Sequence, residues 1–114
     1  MTGKPVVALI EVQADLEHAK IQYASWRTGG AAHVLEKYDE TVGGIETNPE
    51  RFPCKYGPIQ RAILERSFYI AYFIQEPDRS VVLAVLDGRR SPVTIRGILG
   101  ERVAAQKAGY RPAM

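Results

Sequence analysis

The sequence predicts an α+β fold in the order β-α-α-β-β-β followed by a helical tail. Three observations carry this. A short β-branched run, Val6 to Val12, opens the chain. Two apolar stripes with helical spacing follow, divided by Gly29-Gly30. Three short apolar runs then lie between Ile59 and Leu86, separated by turn residues. A helical hairpin has to bury its stripes on something, and a small, mainly antiparallel sheet is the surface available.

Val6 to Val12 is apolar and rich in β-branched residues, as a buried strand is. From about Asp15 the period lengthens. Leu16, Ala19, Tyr23 and Trp26 fall on one helical face, and the charge of Asp15 favours the first turn. Gly29-Gly30 permits the reversal into a second helix. Its stripe is Ala31, Leu35, Tyr38, Val42 and Ile45, interrupted by Gly43-Gly44 and stopped at Asn48-Pro49, because the residue before proline is pushed out of the α region. Glu50 to Pro58 reads as a loop. Ile59 to Arg66 mixes apolar and basic positions, as a partly exposed strand does, whereas Phe68 to Ile74 and Ser80 to Leu86 are almost wholly apolar and suit central strands. Glu76-Pro77-Asp78-Arg79 has the residues of a type I turn. Strands joined this tightly are antiparallel neighbours. Val93 to Ala108 carries helical residues broken by Gly97 and Gly100, within a C-terminal tail spanning 93–114.

At 114 residues the chain is expected to be one domain, residues 1–114, with a single core. No apolar run approaches the roughly 20 residues a membrane helix needs, and Met1-Thr2-Gly3-Lys4-Pro5 leads into no signal-like apolar segment. One cysteine, Cys54, allows no internal disulfide, which suits a reducing cytoplasm. With His18 and His33 as the only histidines, no zinc ligand set is available, and no cofactor motif is present.

Charge is unevenly distributed. Residues 1–50 hold four basic and eight acidic side chains, a net of −4; residues 51–114 hold eleven basic and five acidic, a net of +6. That asymmetry points the second half toward an anionic partner. Its most suggestive element is the turn Asp87-Gly88-Arg89-Arg90-Ser91-Pro92, where a guanidinium fork off the end of a strand can meet carboxylate or phosphate.

These residues resemble the RelE/ParE superfamily of bacterial toxins, often described as plasmid stabilisation proteins. The likeness spans roughly residues 6 to 96. It rests on Ala14-Asp15-Leu16-Glu17-His18-Ala19, Asn48-Pro49-Glu50-Arg51-Phe52-Pro53, Ile59-Gln60-Arg61-Ala62-Ile63-Leu64 and Ser67-Phe68-Tyr69-Ile70-Ala71-Tyr72-Phe73-Ile74, and above all on Val82-Leu83-Ala84-Val85-Leu86-Asp87-Gly88-Arg89-Arg90-Ser91-Pro92. The resemblance implies a cytoplasmic toxin neutralised by a cognate antitoxin. Its target is either DNA gyrase, inhibited without catalysis as by ParE-like members, or mRNA on the ribosome, cut as by RelE-like members.

Cleavage of RNA by its 2′-OH needs a base, an acid and cationic stabilisation. The sheet half offers Arg61, Arg66, Arg89 and Arg90, but arginine is a poor general base. Lys55 is the sole lysine between Lys37 and Lys107, neither histidine lies in that half, and Tyr110 stands some twenty residues past the last strand. The expectation is therefore a ParE-like binding protein, with Arg61, Arg66, Arg89, Arg90 and Arg96 as partner contacts and no metal or cofactor. Under the nuclease alternative Arg61, Arg66, Arg89, Arg90 and Tyr110 are the catalytic candidates.

Overall fold

The computed structural model describes residues 3–107 and 112–113. The chain runs β1 (Val6–Leu9), α1 (Glu11–Trp26), α2 (Gly30–Thr47), a single 3-10 turn (Pro49–Arg51), β2 (Cys54–Tyr56), β3 (Ile59–Ile63), β4 (Tyr69–Gln75), β5 (Ser80–Asp87), α3 (Pro92–Lys107) and β6 (Pro112–Ala113). The class is α+β, with three helices and a mixed sheet in the order β2-β3-β4-β5-β1-β6. The expected antiparallel neighbours β3, β4 and β5 form its centre, and β1 joins the far side of β5 in parallel.

Two expected boundaries and one expected loop are corrected. The first strand stops at Leu9, and the chain is already helical at Glu11, so Val12 is a core residue of α1. Cys54–Tyr56 is a strand inside the expected loop. Gly57, at φ +56, makes the tight reversal that pairs Tyr56 with Ile59. The tail is more than a helix, because Ala113 and Pro112 pair with Ala8 and Leu9 at the sheet edge. The strand–helix order thus contains two short strands beyond the expected β-α-α-β-β-β.

The core has two halves, one on each face of the sheet. Val12, Ala19 and Tyr23 of α1 with Val34 and Ile45 of α2 pack on Ala62, Tyr69, Ala71, Phe73, Val82 and Val85. On the other face Ile95 and Leu99 of α3 cover Leu9, Tyr72, Val81, Leu83, Ala84 and Leu86. β5 is therefore buried along its whole length, as its unbroken apolar run requires. The α2 stripe is rotated from the expected one: Val34 faces the core and Leu35 is exposed. The reversal between the helices depends on Gly29, at φ +76, and on Gly30, where a Cβ would sit 2.0 Å from the Tyr23 carbonyl oxygen.

A bulge shapes β5. Tyr72 pairs with Ala84 and Phe73 with Val82, leaving Leu83 as the extra residue. Leu83 and Ala84 consequently both face α3, while Val82 and Val85 face the hairpin. β1 pairs with β5 only from Ser80 to Val82. Past that point two side chains cap the strand edge. Val85 N–H donates to Asp15 Oδ2 at 3.0 Å, and Arg102 donates to the Leu83 carbonyl at 2.8 Å. The same Arg102 binds both Asp15 oxygens, at 2.9 and 3.0 Å, tying α1 to α3 around the edge of the sheet. Asp15 is thus a buried structural carboxylate in the second turn of α1 rather than a charge at its N-terminus.

Candidate partner-binding surface

The end of the sheet formed by the start of β4 and the finish of β5 gathers the exposed aromatic residues and three of the five expected partner arginines. Its foundation is Tyr23, deep in the α1 stripe. The ring lies 5.8 Å from Tyr69 and 5.0 Å from Trp26, stacks on His33, and its hydroxyl accepts from the Phe68 N–H at 2.9 Å. Tyr69 in turn donates its hydroxyl proton to Gln22 at 2.6 Å. These contacts fix the turn before β4 against the C-terminus of α1. Trp26 and Phe68 meet edge to face above it, 47% and 48% exposed. Trp26, expected on the buried stripe, is therefore a surface residue: α1 has run past the sheet by its last turn.

Arg89 lies on this aromatic pair. Its guanidinium is 4.0 Å from the Phe68 ring centre and 5.1 Å from that of Trp26. Asp87 holds it there through Nε at 3.0 Å and Nη2 at 2.8 Å, and Asp87 also accepts from the Arg89 N–H. The fork to Arg89 holds the Asp87 carboxyl below the usual carboxylate range, against an opposing effect of burial. The turn expected to offer its arginines to an anionic partner is thus a built structure, and Arg89 is a packed member of it.

Arg90 diverges from Arg89. It lines a cleft of about 220 Å³ between α1 and α3, with His18, Tyr69, Ile98, Glu101 and the Asp15–Arg102 pair. Its guanidinium makes no ion pair among the described residues. Arg66 occupies the turn between β3 and β4 at φ +60, with its carbonyl bonded to His33 Nε2 at 3.1 Å and its side chain exposed. Arg61 is not part of this end. It sits in mid-strand opposite Tyr72, and its neighbours Ala62 and Gln60 point toward the hairpin. That alternation turns Arg61 away from α2, which carries the carboxylates Glu36 and Glu40. Arg96 is exposed on α3. Tyr110 lies outside the described residues.

The phenols near these arginines are held neutral. Burial raises the Tyr69 pKa, with Asp87 adding to it and Arg90 opposing, and burial raises that of Tyr72 against the pull of Arg61. Neither is poised as a base. His18, an exposed residue from the helical half of the sequence, lines the same cleft as Arg90 and Tyr69.

Three residues carry roles that the sequence reading did not give them. Gln60, buried on β3, donates to the Pro49 and Phe52 carbonyls at 2.8 Å each and fixes the loop before β2. Its signal was a polar residue in line with Ala62 and Leu64. Phe68 and Trp26 are the other two, and only their exposure reveals them. Among the described residues no helix is long and apolar enough to cross a membrane, and no three His, Cys, Asp or Glu are grouped to hold a metal ion. No family model matches the sequence, and no curated protein matches it.

Proposed function

We propose that this chain is the toxin component of a type II toxin–antitoxin module, ParE-like, acting by binding DNA gyrase and neutralised by an acidic cognate antitoxin. The observation that carries the reading is the basic, aromatic-backed end of the sheet, where Arg66 and Arg90 neighbour the Arg89–Trp26–Phe68 stack and form no ion pair among the described residues. The family resemblance supplies the partner classes. A rigid, cationic, ring-backed surface is suited to recognition, and Tyr69 and Tyr72, with raised pKa values, are poorly suited to proton abstraction at neutral pH.

A second reading, a RelE-like ribosome-dependent mRNA endonuclease, is favoured by one observation: His18, Arg90 and Tyr69 share a cleft. The two readings separate in paired assays on the purified chain. A gyrase-binding toxin traps gyrase–DNA cleavage complexes and leaves mRNA on ribosomes intact, and Arg90→Ala weakens that trapping. Codon-dependent cleavage in the ribosomal A site, lost in His18→Ala, would replace the first reading with the second.

A further inference from the structure

We infer that the Trp26–Phe68–Arg89 stack is an anchoring hot spot for an acidic peptide segment that inserts an aromatic or long aliphatic side chain beside the rings and places carboxylates on Arg66, Arg90 and Arg27. The inference rests on the reading of this end as a protein-binding surface and names the residues on which that binding turns.

Trp26 and Phe68 are among the largest exposed apolar side chains described, and they touch one another at 5.9 Å. Isolated exposed apolar residues are ordinary; two adjacent rings held from below are a patch. Their support is unusually stiff. Tyr23 packs against Trp26 and hydrogen-bonds the Phe68 backbone, and Asp87 fixes the guanidinium that lies over both rings. A partner meeting this platform therefore orders little on the protein side, which is what makes a few aromatic and arginine residues dominate an interface.

Charge identifies the occupant. Arg27 directly follows Trp26 as the C-cap of α1, Arg66 precedes Phe68 by two residues, and Arg90 follows Arg89. None of the three forms an ion pair among the described residues, whereas Arg89 is neutralised by Asp87. The platform is thus apolar and locally neutral at its centre and cationic around it, the complement of an apolar side chain flanked by carboxylates. A single-stranded nucleic acid fits less well. It needs open ring faces for base stacking, and the guanidinium 4.0 Å above Phe68 already covers one.

The test is selection of a random twelve-residue peptide library displayed on phage against the immobilised full-length chain, followed by anisotropy titration of the enriched peptides. The expected result is enrichment of peptides with two or more Asp or Glu around Trp, Phe, Leu or Met. Their Kd should rise tenfold or more in Trp26→Ala and in Phe68→Ala, and should also rise with added salt in the wild type. Ile21→Ala, at an exposed apolar position elsewhere on α1, should leave it unchanged. Trp26 lies at an exposed helix end, so its variant keeps the fold, which a circular dichroism melt verifies. No enrichment overturns the inference, as do enriched peptides that bind Trp26→Ala and wild type equally. Quenching of the single tryptophan by oligo(dT), with displacement of the peptides, would assign the platform to nucleic acid instead. None of these outcomes depends on gyrase, so the cleavage-complex assay stands or falls separately.

Discussion

Arg66 is the one non-glycine residue at positive φ among those described, and it lies on the surface proposed to meet a partner. For an L-residue the left-handed region costs about 1 to 2 kcal/mol, which glycine avoids at the expense of a more flexible unfolded chain. Among the described residues its side chain makes no hydrogen bond or ion pair that would offset this. Arg66→Gly should therefore be more stable than Arg66→Ala by about 1 kcal/mol, measured by urea unfolding with equal m-values. Both variants delete the same guanidinium, so any loss of partner binding should be shared between them. Equal stability of the two would show that the backbone at this turn relaxes freely, and unequal binding would show that turn conformation, rather than charge, is what the partner reads.

The elements were largely legible in the sequence because their periods are. The α2 boundaries, the β4–β5 hairpin and the helical character of residues 93–107 follow from spacing and punctuation. The parallel pairing of β1 with β5 was not legible, because nothing in a four-residue strand names its neighbour. Nor was the strand at Cys54–Tyr56, hidden among Pro53, Gly57 and Pro58. The site was half legible: Arg89 and Arg90 are adjacent in sequence, yet Arg89 is tied to Asp87 and the rings whereas Arg90 forms no ion pair among the described residues, and Trp26 has core spacing in a helix that outruns its sheet. Asp15 shows how a misplaced polar residue can be informative. It lies in line with Val12, Ala19 and Tyr23, a carboxylate on an apolar stripe, and such a group is buried only with partners. Those partners are Arg102 and the Val85 N–H, at the β5 edge that β1 leaves open. Arg102→Met should cost about 3 kcal/mol, since it strands a buried carboxylate and frees the Leu83 carbonyl. Asp15→Asn should cost less, because an amide oxygen can still accept from Val85 N–H. The double variant should be more stable than the sum of the single costs implies, a coupling of about 1 to 3 kcal/mol in a double-mutant cycle. Strict additivity would mean that the pair does not hold α1 to α3.

At the scale of the whole molecule, the dependence of stability on pH is led by Tyr38 on the alkaline side, where Tyr69 and Tyr72 are shifted the same way, and by Asp87 on the acid side. Tyr38, packed between α2 and the sheet, has its pKa pushed from 10.0 to about 12, by burial first and then by the nearby Asp39 and Asp15 carboxylates. A group whose pKa is raised on folding binds its proton more tightly in the native state. Its contribution is complete below the unfolded value of 10.0 and disappears as pH climbs through about 12. The difference corresponds to roughly 2 to 3 kcal/mol. Asp87 works in the opposite sense. Its pKa is lowered on folding, by the Arg89 fork first, so the stability it supplies is present above the ordinary carboxylate pKa and is lost as pH falls through its folded value. Urea unfolding across pH should therefore show a plateau around neutrality, an acid decline that is shallower in Asp87→Asn, and an alkaline decline between pH 10 and 12. Tyr38→Phe keeps the ring and removes the ionisation, so it should flatten the alkaline limb without lowering the plateau by more than about 1 kcal/mol. An alkaline limb identical in Tyr38→Phe and wild type would place that titration elsewhere in the chain and show that the hairpin admits water to the Tyr38 hydroxyl.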